Sequence, residues 1–193
     1  FVDQALHVKA LAHVGNRVVQ DLKALGIRPN ATVGVMASGG CLHGIQKVVA
    51  RGFPGTETIL AEHTESSTLD PNLDWRDKEA VKDFARKQLL GYRKHISPPV
   101  VALSAQSLRF FPIHVHLPNR LWLEYVALTG EVPFDRVVKV TEDAALQLHE
   151  RLREAGLNYG LTTAMALVPA KQRAEEKDET VVAVAYSKDQ TTT

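Results

Sequence analysis

A short apolar, β-branched run at residues 32–36 passes through Ala37, Ser38, Gly39 and Gly40 into a helical stretch over residues 42–51 that stops at Gly52. A second strand-like run, TETILA at residues 56–61, follows within a few positions. No other feature limits the fold as much. Strand, helix and strand in this order, with a crossover long enough for parallel pairing, predict an α/β sheet whose faces are covered by helices. The remaining pattern agrees. Ala5, Val8, Leu11, Val14, Val18, Leu22 and Leu25 recur at steps of three and four, which predicts a surface helix over residues 2–25 closed by Gly26. Residues 62–73 are polar and turn-rich and are expected to be loop. A charged helix is predicted over residues 74–92, with Ala80, Val81, Phe84, Ala85, Leu89 and Leu90 on one side. Pro98-Pro99 breaks the chain, residues 110–115 alternate weakly as a strand would, and residues 119–129 form a helix candidate closed by Gly130. A strand at 136–140 precedes the clearest helix, 141–155, in which Thr141 offers a capping hydroxyl and Glu142 and Asp143 place carboxylates in the first turn. Residues 162–170 read as a helix, 180–185 as a buried strand, and 191–193 as a frayed tail. The expectation is one α/β domain over residues 1–193, a three-layer, mostly parallel twisted sheet covered by helices.

Composition removes several function classes. With 23 Lys and Arg against 22 Asp and Glu, the chain has no clustered basic excess of the kind that drives nucleic-acid binding by counterion release. No apolar run approaches about 18 residues, so no membrane span is predicted. The single cysteine rules out an intrachain disulfide framework and fits a reducing, cytoplasmic compartment. At 193 residues the chain can bury roughly 70% of its unfolded surface without a disulfide or metal staple. Its first residue is Phe1, already at the edge of a helical pattern, from which the chain is expected to be part of a longer polypeptide.

Two segments carry chemistry. In Val33-Gly34-Val35-Met36-Ala37-Ser38-Gly39-Gly40-Cys41-Leu42-His43-Gly44, a strand ends in small residues and enters a helix directly. Backbone N–H groups and the positive end of the helix dipole then point to one place, and a phosphate fits there. A side chain at Gly39 or Gly40 would hold the anion off, while Ser38 adds a hydroxyl. The loop lacks the lysine of a P-loop and the spacing of a dinucleotide fingerprint, so a plain tight turn explains it equally well on its own. Gly160-Leu161-Thr162-Thr163-Ala164-Met165 is read as a second strand-to-helix junction with paired hydroxyls, which by itself reads most simply as an N-cap.

The order of elements adds to this. The glycine loop and helix, the strand Ile59-Leu60-Ala61 ending in Glu62, the stretch 134–146, the Gly160 junction and the final strand together resemble the fold-type II pyridoxal-phosphate enzymes, such as cysteine synthase, cystathionine β-synthase and the tryptophan synthase β subunit. In that family a Gly-Thr-Gly-Gly-Thr loop grips the cofactor phosphate, and Ala37-Ser38-Gly39-Gly40-Cys41 stands in its place. The family's Gly-Ile-Ser-Ser-Gly-Ala sets a serine hydroxyl against the pyridine nitrogen, and Thr162 is the matching residue. The resemblance implies pyridoxal phosphate as cofactor, an amino acid as substrate, β-elimination or β-replacement as chemistry, and a homodimer. Residues 71–118 match nothing in the family and read as an insertion. None of the eleven lysines stands in the context of the family's Schiff-base lysine, so the chain is expected to need an N-terminal segment, in the same enzyme or as a partner chain. The competing reading is a non-catalytic remnant of the fold that serves binding or assembly, and a third is a binder of another phosphate compound at the same loop.

Other features have plainer explanations. His114-Val115-His116 spaces two imidazoles on one face of a strand but brings no third ligand, so no metal is expected. Cys41 sits where a helix dipole can lower a thiol pKa, yet a packed small residue accounts for it more simply. The charged run 171–179 reads as a solvated helix end and turn.

Overall fold

The two β-branched runs pair. β1 (Ala31–Val35) and β2 (Glu57–His63) lie side by side and parallel, with Val33 opposite Ile59 and Val35 opposite Ala61. The structure is a computed structural model that describes residues 8–35, 41–64, 69–94 and 116–185. β3 (Arg136–Val140) joins the outer side of β2 and β4 (Val181–Ala183) the outer side of β1, both parallel, in the order β3-β2-β1-β4. Among the described residues the sheet is entirely parallel. Every position of β1 is buried, as expected for a strand covered on both faces.

The pleat sorts the core into two layers. On one face Leu60 and Val137 meet Leu42 and two helices, α3 (Lys78–Lys94) through Val81 and Ala85 and α4 (His116–Thr129) through Leu123, Val126 and Ala127. Trp75 locks this layer, its ring 5.1 Å from Phe84 and 5.0 Å from Phe134, both edge-on. Residues 71–94, the described part of the stretch without a family match apart from the start of α4, therefore contribute directly to the core. On the other face Val33, Val35, Ile59, Ala61 and Val140 pack on α5 (Glu142–Glu154) and α6 (Leu161–Lys177). Ala164, Ala166 and Ala170 keep α6 close to the strands.

Between β1 and β2 the chain makes a π-helical turn (Leu42–Gln46) that continues as α2 (Lys47–Gly52). Helix α1 (Val8–Ala24) lies across both. The approach is so close that a Cβ at Gly15 would sit 2.7 Å from the carbonyl oxygen of Gly44. Gln46 is fully buried beneath this turn, where its Nε2 donates to the carbonyl of Ile59 at 3.2 Å.

Several boundaries differ from the sequence reading for local reasons. The loop expected from residue 62 begins later, because Glu62 and His63 belong to β2 and are buried. Helix α3 begins at Lys78 rather than 74, since the Asp77 carboxylate accepts from the N–H groups of Glu79 and Ala80 and so caps it. The strand expected to be buried at 180–185 is the three-residue edge strand β4, and it is only half-buried. Helix α6 extends to Lys177, and the charged run at its end is not merely solvated. Arg173, only 13% exposed, donates to Glu57 at the start of β2 and to Glu179. Burial opposes its charge, but the hydrogen bonds to Glu179 and Glu57 outweigh that and hold the guanidinium pKa above its usual value. Thr141 caps α5 as expected, its Oγ1 accepting from the Ala144 N–H at 3.2 Å. The strand expected at 110–115 and the Pro98-Pro99 break lie outside the described residues. Among the described residues no helix is long and apolar enough to cross a membrane.

Gly130 ends α4 with φ +66°, and a Cβ there would lie 2.6 Å from the carbonyl oxygen of Lys78. Gly26 has φ +68° and open space around it. Gly26→Ala should therefore cost only the left-handed strain of about 1–2 kcal/mol, and Gly130→Ala roughly twice that. Urea unfolding of the two variants measures the difference, and equal losses would show that the contact with Lys78 carries no weight.

Candidate active site

In a parallel sheet the loops that follow the strands collect at the carboxyl edge, where open α/β folds bind ligands. β1 ends there at Val35. Ala37, Ser38, Gly39 and Gly40 lie outside the described residues, and the described chain resumes at Cys41 with helical angles, φ −65° and ψ −39°. No side chain caps this helix start. Cys41 is half-buried, and burial pushes its thiol pKa up, against any lowering by the helix dipole. It behaves as a packed small residue.

Helix α6 starts at the same edge. Its direction follows from its far half, where Arg173 is tied to Glu57, the first residue of β2, at the amino edge. Gly160 holds the N-cap position with φ −71° and ψ 163°, and its carbonyl accepts from Thr163 at 2.9 Å and Ala164 at 3.3 Å. Thr162 is thus the second helical residue and half-buried, not the cap, while Thr163 is buried. The residues before Gly160 form a turn with a single bridging residue at Tyr159, not the strand expected from sequence. Because Gly160 has no side chain to offer, the first-turn N–H groups of Leu161 and Thr162 receive no side-chain cap. The helix starts at Cys41 and Leu161 therefore open on one edge from opposite faces of the sheet.

A buried charge pair lies beside them. Glu62, fully buried, is ion-paired with Lys139, its register partner on β3. The pair sits one step beyond Leu60 and Val137 toward the carboxyl edge, and those residues pack with Leu42 just after the helix start. Sequence reasoning saw Glu62 only as the acidic end of a strand and passed over Lys139. The available signal was a lysine inside an otherwise apolar run, Val137-Val138-Lys139-Val140, which in a buried strand requires a charged partner. No group of three His, Cys, Asp or Glu able to hold a metal occurs among the described residues. His116 begins α4 and so is helical, while His114 lies outside the described residues.

No family model matches the chain, and no curated protein matches it. Solved structures do. A hydrogen sulfide-producing enzyme from Fusobacterium nucleatum superposes with a TM-score of 0.63 at 14% identity, over 99% of this chain and 48% of that one. A bacterial-strain threonine deaminase, from T.th., gives 0.60 at 14%, over 96% and 59%. Threonine deaminase isoform 2 from Solanum lycopersicum gives 0.58 at 15%, over 95% and 46%. The chain has the fold of one part of these enzymes and spans about half their length.

A raised thiol pKa leaves less thiolate at any given pH. Alkylation of Cys41 by iodoacetamide should be slower than that of free cysteine and should still be climbing above about pH 8.5, where an ordinary thiol begins to level off. A plateau below that pH would reveal a dipole-activated thiol instead.

Proposed function

We propose that the chain is the C-terminal, cofactor-binding portion of a pyridoxal-phosphate-dependent enzyme of amino-acid metabolism that catalyses β-elimination or β-replacement, as cysteine synthase does. The observation that supports this best is the common edge. The segment that matches the family's phosphate loop and the segment that matches its pyridine contact lie far apart in sequence, yet both open at the carboxyl ends of the same parallel strands. Among proteins of this fold, the hydrogen sulfide-producing enzyme has been solved, as a mutant, with an α-aminoacrylate intermediate, which is the kind of species that loss of a β-substituent leaves.

The donor set fits such a cofactor. Two uncapped helix starts offer N–H groups to an anion, and Thr162 is half-buried with a neutral hydroxyl. When bound, pyridoxal phosphate supplies the electron sink for chemistry at the substrate's α-carbon. This chain's part is to hold it. Ser38 and the backbone of Ala37, Gly39, Gly40 and Cys41 bind the phosphate dianion, and Thr162 hydrogen-bonds the ring nitrogen without offering it a charge. A ring nitrogen left neutral favours loss of a β-leaving group over transamination. The complementary N-terminal segment, as the same polypeptide or a partner chain, brings the lysine and the loop for the substrate carboxylate, and two such units form a homodimer. Ala37 and Cys41, where the family has glycine and threonine, favour the second reading, a non-catalytic remnant acting in binding or assembly.

Two substitutions separate these readings in the assembled protein. Gly40→Asp should abolish cofactor binding by calorimetry with an unchanged circular dichroism spectrum, whereas undiminished binding would dismiss the loop. Thr162→Asp places a carboxylate within reach of the ring nitrogen and should shift the cofactor absorption and lower the β-reaction rate roughly tenfold or more, about 1.4 kcal/mol. Thr162→Ser should change both far less. A first-turn Asp suits the helix dipole, so if Thr162 only supports the helix, the Asp variant will be stable with a wild-type spectrum and rate.

A further inference from the structure

At the amino edge of the sheet, opposite the site above, α2 and the segment leading into β3 enclose a groove of about 290 Å³. Lys47 and Arg51, one helical turn apart, line one wall, Val132 and Pro133 the other, and Thr56 and Thr58 the floor. The carboxylates nearby are already engaged. Asp135 accepts from the Thr58 N–H at 2.8 Å through one oxygen and faces Arg76 at 3.4 Å through the other. Glu131 is held by the Tyr125 hydroxyl at 3.1 Å and by Lys78 at 3.5 Å, although it also feels the charge of Lys47. Lys47 and Arg51 make no ion pair among the described residues. Two like charges one turn apart repel each other, and an anion between them would relieve that repulsion.

We propose that this groove binds a small organic anion, its carboxylate-like head between Lys47 and Arg51 and a short apolar body against Val132 and Pro133. The volume admits a single ring or a short aliphatic chain and nothing larger. The two cations give the charge selectivity, and the apolar wall excludes bare inorganic ions as preferred ligands. The site is independent of the cofactor reading, because it lies at the other end of the strands and shares no residue with it.

Benzoate is the probe. Calorimetric titration of the full protein at low salt should give saturable binding, which Lys47→Gln/Arg51→Gln weakens by about tenfold or more and Lys47→Arg/Arg51→Lys largely retains. Gly40→Asp should leave it unchanged, and benzyl alcohol should not compete. Absence of saturable binding, wild-type affinity in the Gln pair, or loss of binding in Gly40→Asp would each overturn the proposal, the last by moving the anion to the glycine loop.

Discussion

Water is excluded from both faces of the β1–β2 pair, and most of the architecture answers that condition. A strand buried at all five positions needs a helical layer on each side, and parallel neighbours need crossovers that return over the sheet. The crossover from β1 to β2 is the π-helical turn with α2. The path from β2 to β3 runs through α3 and α4, and β3 reaches β4 through α5 and α6. The same dryness sets the terms for polar groups. Gln46 must hydrogen-bond a strand carbonyl, and Glu62 must face Lys139, because an isolated charge there would cost several kcal/mol.

The fold was legible where one physical signal dominated. β1, β3 and α5 follow from β-branched runs and from an N-cap hydroxyl ahead of first-turn carboxylates, and they lie within a residue of where the sequence puts them. The misses have a common origin in long-range pairing. Glu62 and His63 look like loop residues because their polarity is local, while their burial is set by β3 and the helices above. Arg173 looks like part of a solvated face because its partners, Glu57 and Glu179, lie on other elements. Val181–Ala183 looks like a central strand because its apolar run does not reveal that only one neighbour pairs with it.

The site was legible as two segments and not as a geometry. Nothing local in Gly160-Leu161-Thr162 says that it shares an edge with Cys41, and that relation emerges only once α6 is anchored through Arg173. The hydroxyl pair also misled in detail. Gly160 takes the cap position in an extended conformation, which moves Thr162 into the first turn. At 13–20% identity with solved enzymes of the fold, the constraint shared along the chain is one of layers, small residues and dryness, which many sequences satisfy.

Helix α6 carries Pro169 in its interior, four residues before Arg173 and seven after Thr162. Proline offers no N–H, so the Met165 carbonyl loses its helical partner at that level, and the ladder between the two halves lacks one rung. The far half is clamped to the sheet by buried ion pairs, while the near half is held by apolar contacts of Leu161, Ala164 and Met165. Mechanically, α6 is a rod fixed at one end and softened at its middle. A force applied at Thr162 will flex the helix at Pro169 before it disturbs the anchor, so the stretch that carries the candidate contact can tilt while the sheet beneath it keeps its register.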